Sequence, residues 1–178
     1  MNLSRNAVWT AALVLCVFSQ AARAEDENPL KSAKVGDWAE FKMKTMGQEM
    51  PMKFTVKAKT DTEVTLEVEV MGQKQEQKVD LTKAYDGMNS ANLPPGTKIE
   101  KLGEGAEKVK VGDKEVDAKW TEFKAVIVNQ GQEIPSQMKI WISKDIPAVA
   151  MAKMHIVTEA MGQKVEMDLE CSGYGNGK

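Results

Sequence analysis

The 178-residue sequence has little cysteine, histidine or aromatic side chain. It contains one histidine, His155, and two cysteines, Cys16 and Cys171. A single histidine leaves one candidate for an imidazole base, and the sequence has no nucleophile-elbow serine, zinc-protease motif or phosphate-binding loop. We therefore predict a protein that is not an enzyme and that has no cofactor.

Long apolar runs are also absent, except at the N-terminus. Residues 1–24 combine a basic start at Arg5, an apolar stretch and a small-x-small ending at Ala24. This arrangement is typical of a cleaved signal peptide. We predict an exported protein, periplasmic or secreted, that is not transmembrane and whose mature part, 25–178, is a single β domain. Only Cys171 remains in that part, so no disulfide can form within the chain.

A concentrated basic patch is missing as well. The chain carries 24 Lys and Arg and 26 Asp and Glu, a formal net charge of −2, and the two signs are interspersed. Nucleic-acid binding needs a concentrated positive surface. The mixed charge instead indicates a solvated sheet surface, and we expect no nucleic-acid partner.

What the sequence does contain is alternation with a period of two. In EVTLEVEV (63–70), apolar side chains alternate with Glu and Thr, which is typical of a half-buried strand. Gly-Gln recurs at 47–48, 72–73, 131–132 and 162–163 between such runs, and glycine suits a tight hairpin turn. The predicted strands cover 35–46, 49–59, 63–71, 74–81, 107–111, 115–129, 133–143, 149–160 and 164–171.

These elements predict an all-β fold, a curved antiparallel meander of about nine strands in the form of a half-barrel or partly open barrel. Residues 82–106 contain Pro94-Pro95-Gly96 and further glycines. We predict that they form a crossing loop between two halves, 35–81 and 107–171.

The two halves share three short matches in the same order. WAEFK (38–42) matches WTEFK (120–124), GQEMP matches GQEIP, and MGQKQE matches MGQKVE. We interpret them as an internal duplication of a four-stranded unit. In the second copy the apolar positions change parity between Trp120 and Phe123, which predicts a β-bulge near Thr121.

Methionine is the one abundant soft residue, with 12 in the chain. Its unbranched, adaptable side chain suits a loosely shaped apolar wall. We predict that a concave sheet face binds an apolar or lipid-like ligand. The candidate lining residues are Phe41, Met43, Met50, Met52, Phe54, Met138, Met154 and Met167.

Two alternatives to ligand binding stay open. Thioethers bind Cu(I), so Met46, Met50 and Met52 are candidate ligands of a periplasmic copper-binding protein. Methionine as ordinary core packing would instead indicate a structural or interaction module without a small ligand, whose partner protein the sequence does not identify. Cys171 is predicted to be a buried, inert thiol and His155 an exposed residue without a role.

Two segments carry a resemblance to known proteins. VGDWAEFKMK (35–44) and WISKDIPAVAMAKMHI (141–156) resemble exported bacterial β-rich proteins whose sheets are similar to the half-barrel of the outer-membrane lipoprotein carriers. In those carriers a strand passes through a short proline-containing turn into a return strand, as residues 141–157 do here. The resemblance implies a half-barrel in the cell envelope, and it implies no functional residue.

Overall fold

The computed structural model of the chain describes residues 28–83, 85, 97–129, 132–160 and 163–177. The predicted signal peptide, 1–24, lies outside them. Within these residues no helix is long and apolar enough to span a lipid bilayer. The chain forms a short 3-10 helix, Pro29–Ser32, and nine strands: β1 (Trp38–Thr45), β2 (Gln48–Lys59), β3 (Glu63–Val70), β4 (Gln73–Asp80), β5 (Lys98–Val111), β6 (Lys114–Asn129), β7 (Gln132–Ile142), β8 (Met151–Ala160) and β9 (Gln163–Gly175).

All nine strands belong to one antiparallel sheet, in the order β4-β3-β2-β1-β9-β8-β7-β6-β5. Strand β1 pairs with β9, so the first and last strands meet at the centre of the sheet. Strands β4 and β5 form the two edges, and no pairing among the described residues joins them. The predicted all-β fold with nine antiparallel strands is confirmed, but the strands form one open, uncurled sheet in place of the predicted half-barrel or partly open barrel.

Two hairpin turns in the described part of the chain use Met-Gly instead of the predicted Gly-Gln. Thr45 pairs with Gln48, so Met46 and Gly47 form the turn, with φ of 50° and 77°. Residues 71–72 repeat this turn, with φ of 52° and 80°. Positive φ at both central residues is the type I′ geometry, which fits the strand twist. The predicted position of the turn is therefore wrong by one residue. This moves the pairing of β1 with β2 by two residues, and because a shift by an even number does not turn the strand over, every side chain keeps its predicted face.

The predicted crossing loop, 82–106, extends too far, because strand β5 already begins at Lys98. Residues between 98 and 106, which we assigned to the loop, are strand residues that pair with β6. Of the shorter connection that remains, residue 84 and residues 86–96 lie outside the described part of the chain. The second half of the sheet therefore begins earlier than predicted.

Glycines suggested a loop in this stretch, yet they lie in β5 because Trp120 of β6 packs against them. A Cβ atom on Gly105 would lie 2.7 Å from the Trp120 indole, and one on Gly103 would lie 3.6 Å from it. Glycine inside a strand often marks such a close approach. The bulge predicted near Thr121 lies instead in β5, where the register shifts between Lys101 and Gly103.

Most of the core lies on one face of the sheet, and the end of β6 that carries Val116 and Ala118 adds buried residues from the other. We call the inner face the side that carries Ala39 and Phe41 of β1, which are 0% and 1% exposed, and the outer face the side that carries Trp38. Burial is most complete at the end away from the Met-Gly turns, where Leu30 and Ile146 add fully buried side chains. The connecting segments 28–37 and 143–150 thus complete the core that strands alone would leave open.

A hydrogen-bonded carboxylate, that of Asp37, links the N-terminal and C-terminal segments of the described chain. Asp37 is 2% exposed, and its carboxylate accepts hydrogen bonds from the backbone N–H of Lys34 at 2.8 Å and of Gly177 at 3.1 Å. A buried carboxylate is tolerated when it is hydrogen-bonded in this way. Asp37 therefore holds the start of β1 and the end of β9 in register.

Candidate functional site

The residues predicted to line a ligand site lie on the inner face. In β1 and β2, Phe41 pairs with Met52 and Met43 with Met50, and Phe54 follows Met52 two positions along the strand. Directly opposed residues of antiparallel strands point to the same side, as do alternate residues of one strand. These five side chains therefore form one surface.

Strands β7 to β9 continue that surface. Met138 of β7 and Met167 of β9 both pair with Ile156 of β8. Met154 lies two positions before Ile156 and pairs with Leu169 of β9. All eight predicted residues thus lie on the inner face of five adjacent strands, from β2 to β7.

Burial differs among the eight residues. Phe41 and Met138 are 1% and 3% exposed and belong to the core. The other six are partly exposed, and we call them the methionine face: Met43, Met50, Met52, Phe54, Met154 and Met167. The prediction that Met50 and Met52 are largely buried is wrong. The physical reason is the single layer, since the described residues form one sheet and one short helix with no second layer over this part.

The copper alternative involves side chains in different surroundings. Met46 is 82% exposed at the hairpin turn, whereas Met50 and Met52 are half-buried on the inner face. The residue directly opposite Met50 is Met43. Among the described residues, no group of three or more His, Cys, Asp or Glu side chains is placed to hold a metal ion. A copper site at these methionines stays a prediction.

The one thiol and the one imidazole of the described residues lie on opposite faces of the sheet. Cys171 is free and 4% exposed, and burial raises the pKa of its thiol to about 11. Its predicted burial is confirmed, and the neutral form is a poor nucleophile. His155 is half-buried on the outer face, where its Nδ1 lies 2.8 Å from Asp168 Oδ1. The prediction that His155 is simply exposed missed this contact.

A cavity of about 950 Å³ lies beside the β5–β6 hairpin. Ligand pockets in proteins usually have volumes of about 300–1,000 Å³. Its apolar lining consists of Pro29, Tyr85, Ala106, Ala118, Trp120 and Ile142. None of the eight predicted residues lines it. The sequence feature that could have indicated this cavity is the glycine pair of GEG (103–105). We interpreted these glycines as part of a loop, whereas they lie against the Trp120 indole.

No family model and no curated protein matches the sequence. Among solved structures, the chain is similar to a Bacteroides fragilis protein assigned as exported, with a YmcC-like fold. That match has 8% sequence identity and a TM-score of 0.53, and it covers 81% of this chain and 97% of the other. A protein from Parabacteroides distasonis assigned as a lipoprotein matches with 9% identity and a TM-score of 0.45, over 82% and 98% of the two chains.

The likeness to the Bacteroides fragilis protein shows a shared fold. The predicted similarity to exported β-rich proteins agrees with it at that level. The closer likeness to the lipoprotein carriers stays a prediction.

Proposed function

We propose that this protein is an exported, non-catalytic component of the cell envelope that holds an apolar or lipid-like molecule against the methionine face. The observation that carries the proposal is the uneven burial of the inner face. Ala39 and Val64 at one end are 0% exposed, whereas the six large apolar side chains of the methionine face remain partly in water. A bound apolar molecule would remove that area from water, which stabilises a complex by about 25 cal/mol per Å².

The side chains of this face favour a variable ligand over one rigid shape. Five of the six are methionines, whose three rotatable bonds let them adapt to the molecule they contact. Flexible, methionine-rich surfaces are used by binding proteins that accept several partners. A carrier or sensor of acyl chains fits this chemistry.

Two features support export to the envelope. Residues 1–24 have the pattern of a signal peptide. The Bacteroides fragilis protein that shares the fold is assigned as exported. A protein in that compartment meets lipids as its most abundant apolar molecules.

The test uses the purified mature protein and 1-N-phenylnaphthylamine, an uncharged probe that fluoresces in apolar surroundings. We expect saturable binding by the wild type. Met52→Lys places a charge on the methionine face and should weaken binding at least about tenfold, which is 1.4 kcal/mol. Met71→Lys changes a methionine that is 73% exposed at a turn and should leave binding unchanged. No saturable binding by the wild type, or equal loss in both variants, would contradict the proposal.

A double variant separates the apolar surface from the copper alternative. Met50→Leu with Met52→Leu removes two thioethers and keeps a similar volume, a change that usually costs less than about 1.5 kcal/mol per site. We expect the double variant to retain probe binding. Tight one-to-one Cu(I) binding by the wild type that is lost in this variant would favour the metal site instead.

A further inference from the structure

Most of the charged side chains that line the cavity beside the β5–β6 hairpin are already engaged. Lys108 Nζ lies 3.1 Å from Asp117 Oδ1. The hydrogen bond to Asp117 raises the pKa of Lys108, and Asp145 acts on it in the same direction. Lys108 is therefore paired with Asp117.

The glutamates of the lining have partners too. Glu104 lies 2.6 Å from Lys101, and Glu107 accepts a hydrogen bond from the Trp141 indole N–H. Lys119 also engages a partner. These groups are committed to contacts that hold the cavity wall together, so they are poor candidates for ligand contacts.

Lys144 is the cavity lysine that forms no ion pair among the described residues. Its position is fixed by the backbone on both sides. Ser143, which is 2% exposed, donates its N–H to the Ala150 carbonyl at 2.8 Å, and its hydroxyl accepts from the Asp145 N–H at 3.3 Å. Lys144 is an exposed lysine at the edge of the cavity, next to the exposed Asp145, and the turn holds the backbone of both residues in place.

The apolar side chains of the lining have part of their surface free to contact a ligand. Trp120, Ile142 and Tyr85 are partly buried and pack against the core with part of their surface. The Tyr85 hydroxyl donates to the Val149 carbonyl, so its polar atom is satisfied. Apolar walls with a few placed polar groups are typical of sites that orient a small molecule. Four acidic residues and three lysines complete this lining.

We propose that this cavity binds an anionic amphipathic molecule, with its headgroup at Lys144 and its apolar part against Trp120, Ile142 and Tyr85. A charge-assisted contact would orient the headgroup, and the walls would supply most of the contact area. This inference does not rest on the proposed function, because no residue of the methionine face lines the cavity.

The experiment uses the mature protein with two fluorescent probes, cis-parinaric acid, which is anionic, and its uncharged methyl ester. We expect the acid to bind more tightly than the ester. Lys144→Gln should weaken binding of the acid about tenfold and leave the ester unchanged. Lys110→Gln removes the same charge from an exposed position of β5 that does not line the cavity, and it serves as the control. Asp145→Asn should tighten binding of the acid, because it removes the carboxylate next to the headgroup position.

Displacement identifies the headgroup. Dodecanoate and dodecyl phosphate carry alkyl chains of nearly equal length on different anions, and the better competitor shows whether the site suits a carboxylate or a phosphate. Failure of both to displace the acid would overturn the inference. Equal binding of the acid by the wild type and Lys144→Gln would overturn it too. If Met52→Lys abolishes binding of the acid and Lys144→Gln does not, the acid occupies the methionine face; the inference is then wrong and the proposed function stands.

Discussion

The two tryptophans of the matched sequence segments contact glycines of a neighbouring strand in the same manner. Trp38 of β1 pairs with Gly175 of β9, and Trp120 of β6 pairs with Gly105 of β5. A Cβ atom would lie 2.9 Å from the Trp38 indole at Gly175 and 2.7 Å from the Trp120 indole at Gly105. In each case the indole covers strand backbone that has no side chain of its own.

A lysine lies over each tryptophan ring. Lys53 Nζ is 5.0 Å from the Trp38 ring centroid, and Lys139 Nζ is 4.0 Å from that of Trp120. Both lysines pair with the glutamate of the WxEFK motif, at positions 40 and 122. The same three side chains are therefore stacked on the outer face of both halves.

The halves differ in the length of the hairpin that follows. The paired part of β1 runs from Trp38 to Thr45, a separation of 45 − 38 = 7, whereas that of β6 runs from Trp120 to Asn129, a separation of 129 − 120 = 9. An even difference keeps every side chain on its face. The tryptophan–glycine contact is therefore common to the two halves, whereas the length of the hairpin differs by two residues. The duplication itself stays a prediction, and Gly131, its expected match to Gly47, lies outside the described residues.

We expect the largest loss of stability from substitution of the phenylalanines of the two WxEFK motifs, Phe41 and Phe123. Phe41 is 1% exposed and Phe123 is 8% exposed. Phe41 also makes an edge contact with Phe54, with ring centroids 5.4 Å apart. Phe41→Ala should cost about 3–5 kcal/mol, and Phe123→Ala should cost less. Urea unfolding of both variants measures this, and a larger loss at Phe123 would show that the second half carries more of the core.

The second largest effect is expected from alanine substitutions at the glycines that contact the two tryptophans. Gly105→Ala and Gly175→Ala force a Cβ atom into an indole and should each cost about 1–3 kcal/mol. Gly103 and Gly173 are the matched controls, because a Cβ atom there would lie 3.6 Å and 3.8 Å from the same rings, an ordinary contact. Alanine at the controls should be close to neutral. Thermal melting of the four variants decides the point, and equal losses at all four sites would mean that the close approach is not what makes the first two glycines necessary.

Much of the fold could be predicted from alternation alone. Period-two patterns located most strands, and they placed the eight candidate residues on one face because parity survives a turn shifted by one residue. The first part of strand β5, residues 98–106, could not be found this way, and only its second part, 107–111, was predicted as a strand. Its glycines are typical of a loop in the sequence alone. They fit a strand only because the Trp120 indole, from a different strand, packs against them.

The change of parity in β6 shows a second limit. Val116 and Ala118 are buried on the side of Trp120, and Phe123 and Ala125 are buried on the other side. No bulge interrupts the pairing of β6 with β7, so the ends of this long strand pack on opposite faces. The cavity was beyond prediction for a related reason, since its lining joins segments far apart in the chain.

The smallest expected effect concerns Glu170 of β9, the strand where the halves meet. Its carboxylate lies 2.9 Å from Lys153 of β8 and 3.4 Å from Lys44 of β1. The hydrogen bond from Lys153, with help from Lys44, lowers the pKa of Glu170. A lowered folded-state pKa contributes stability at pH above the ordinary value of about 4.3, and that stability is lost as the pH falls through the folded-state pKa.

Glu170→Gln should therefore destabilise the protein at pH 7 and have no effect at a pH low enough to protonate the carboxylate in both states. The side chain of Glu170 is 39% exposed, so solvent screening keeps the loss below about 1 kcal/mol. Urea midpoints of the wild type and the variant at pH 7 and near pH 2 measure the difference. Glu100→Gln, the same change at an exposed position of β5, is the control variant. An equal loss at both pH values for Glu170→Gln would mean that its packing, and not the charge shared between the halves, holds β9 to its neighbours.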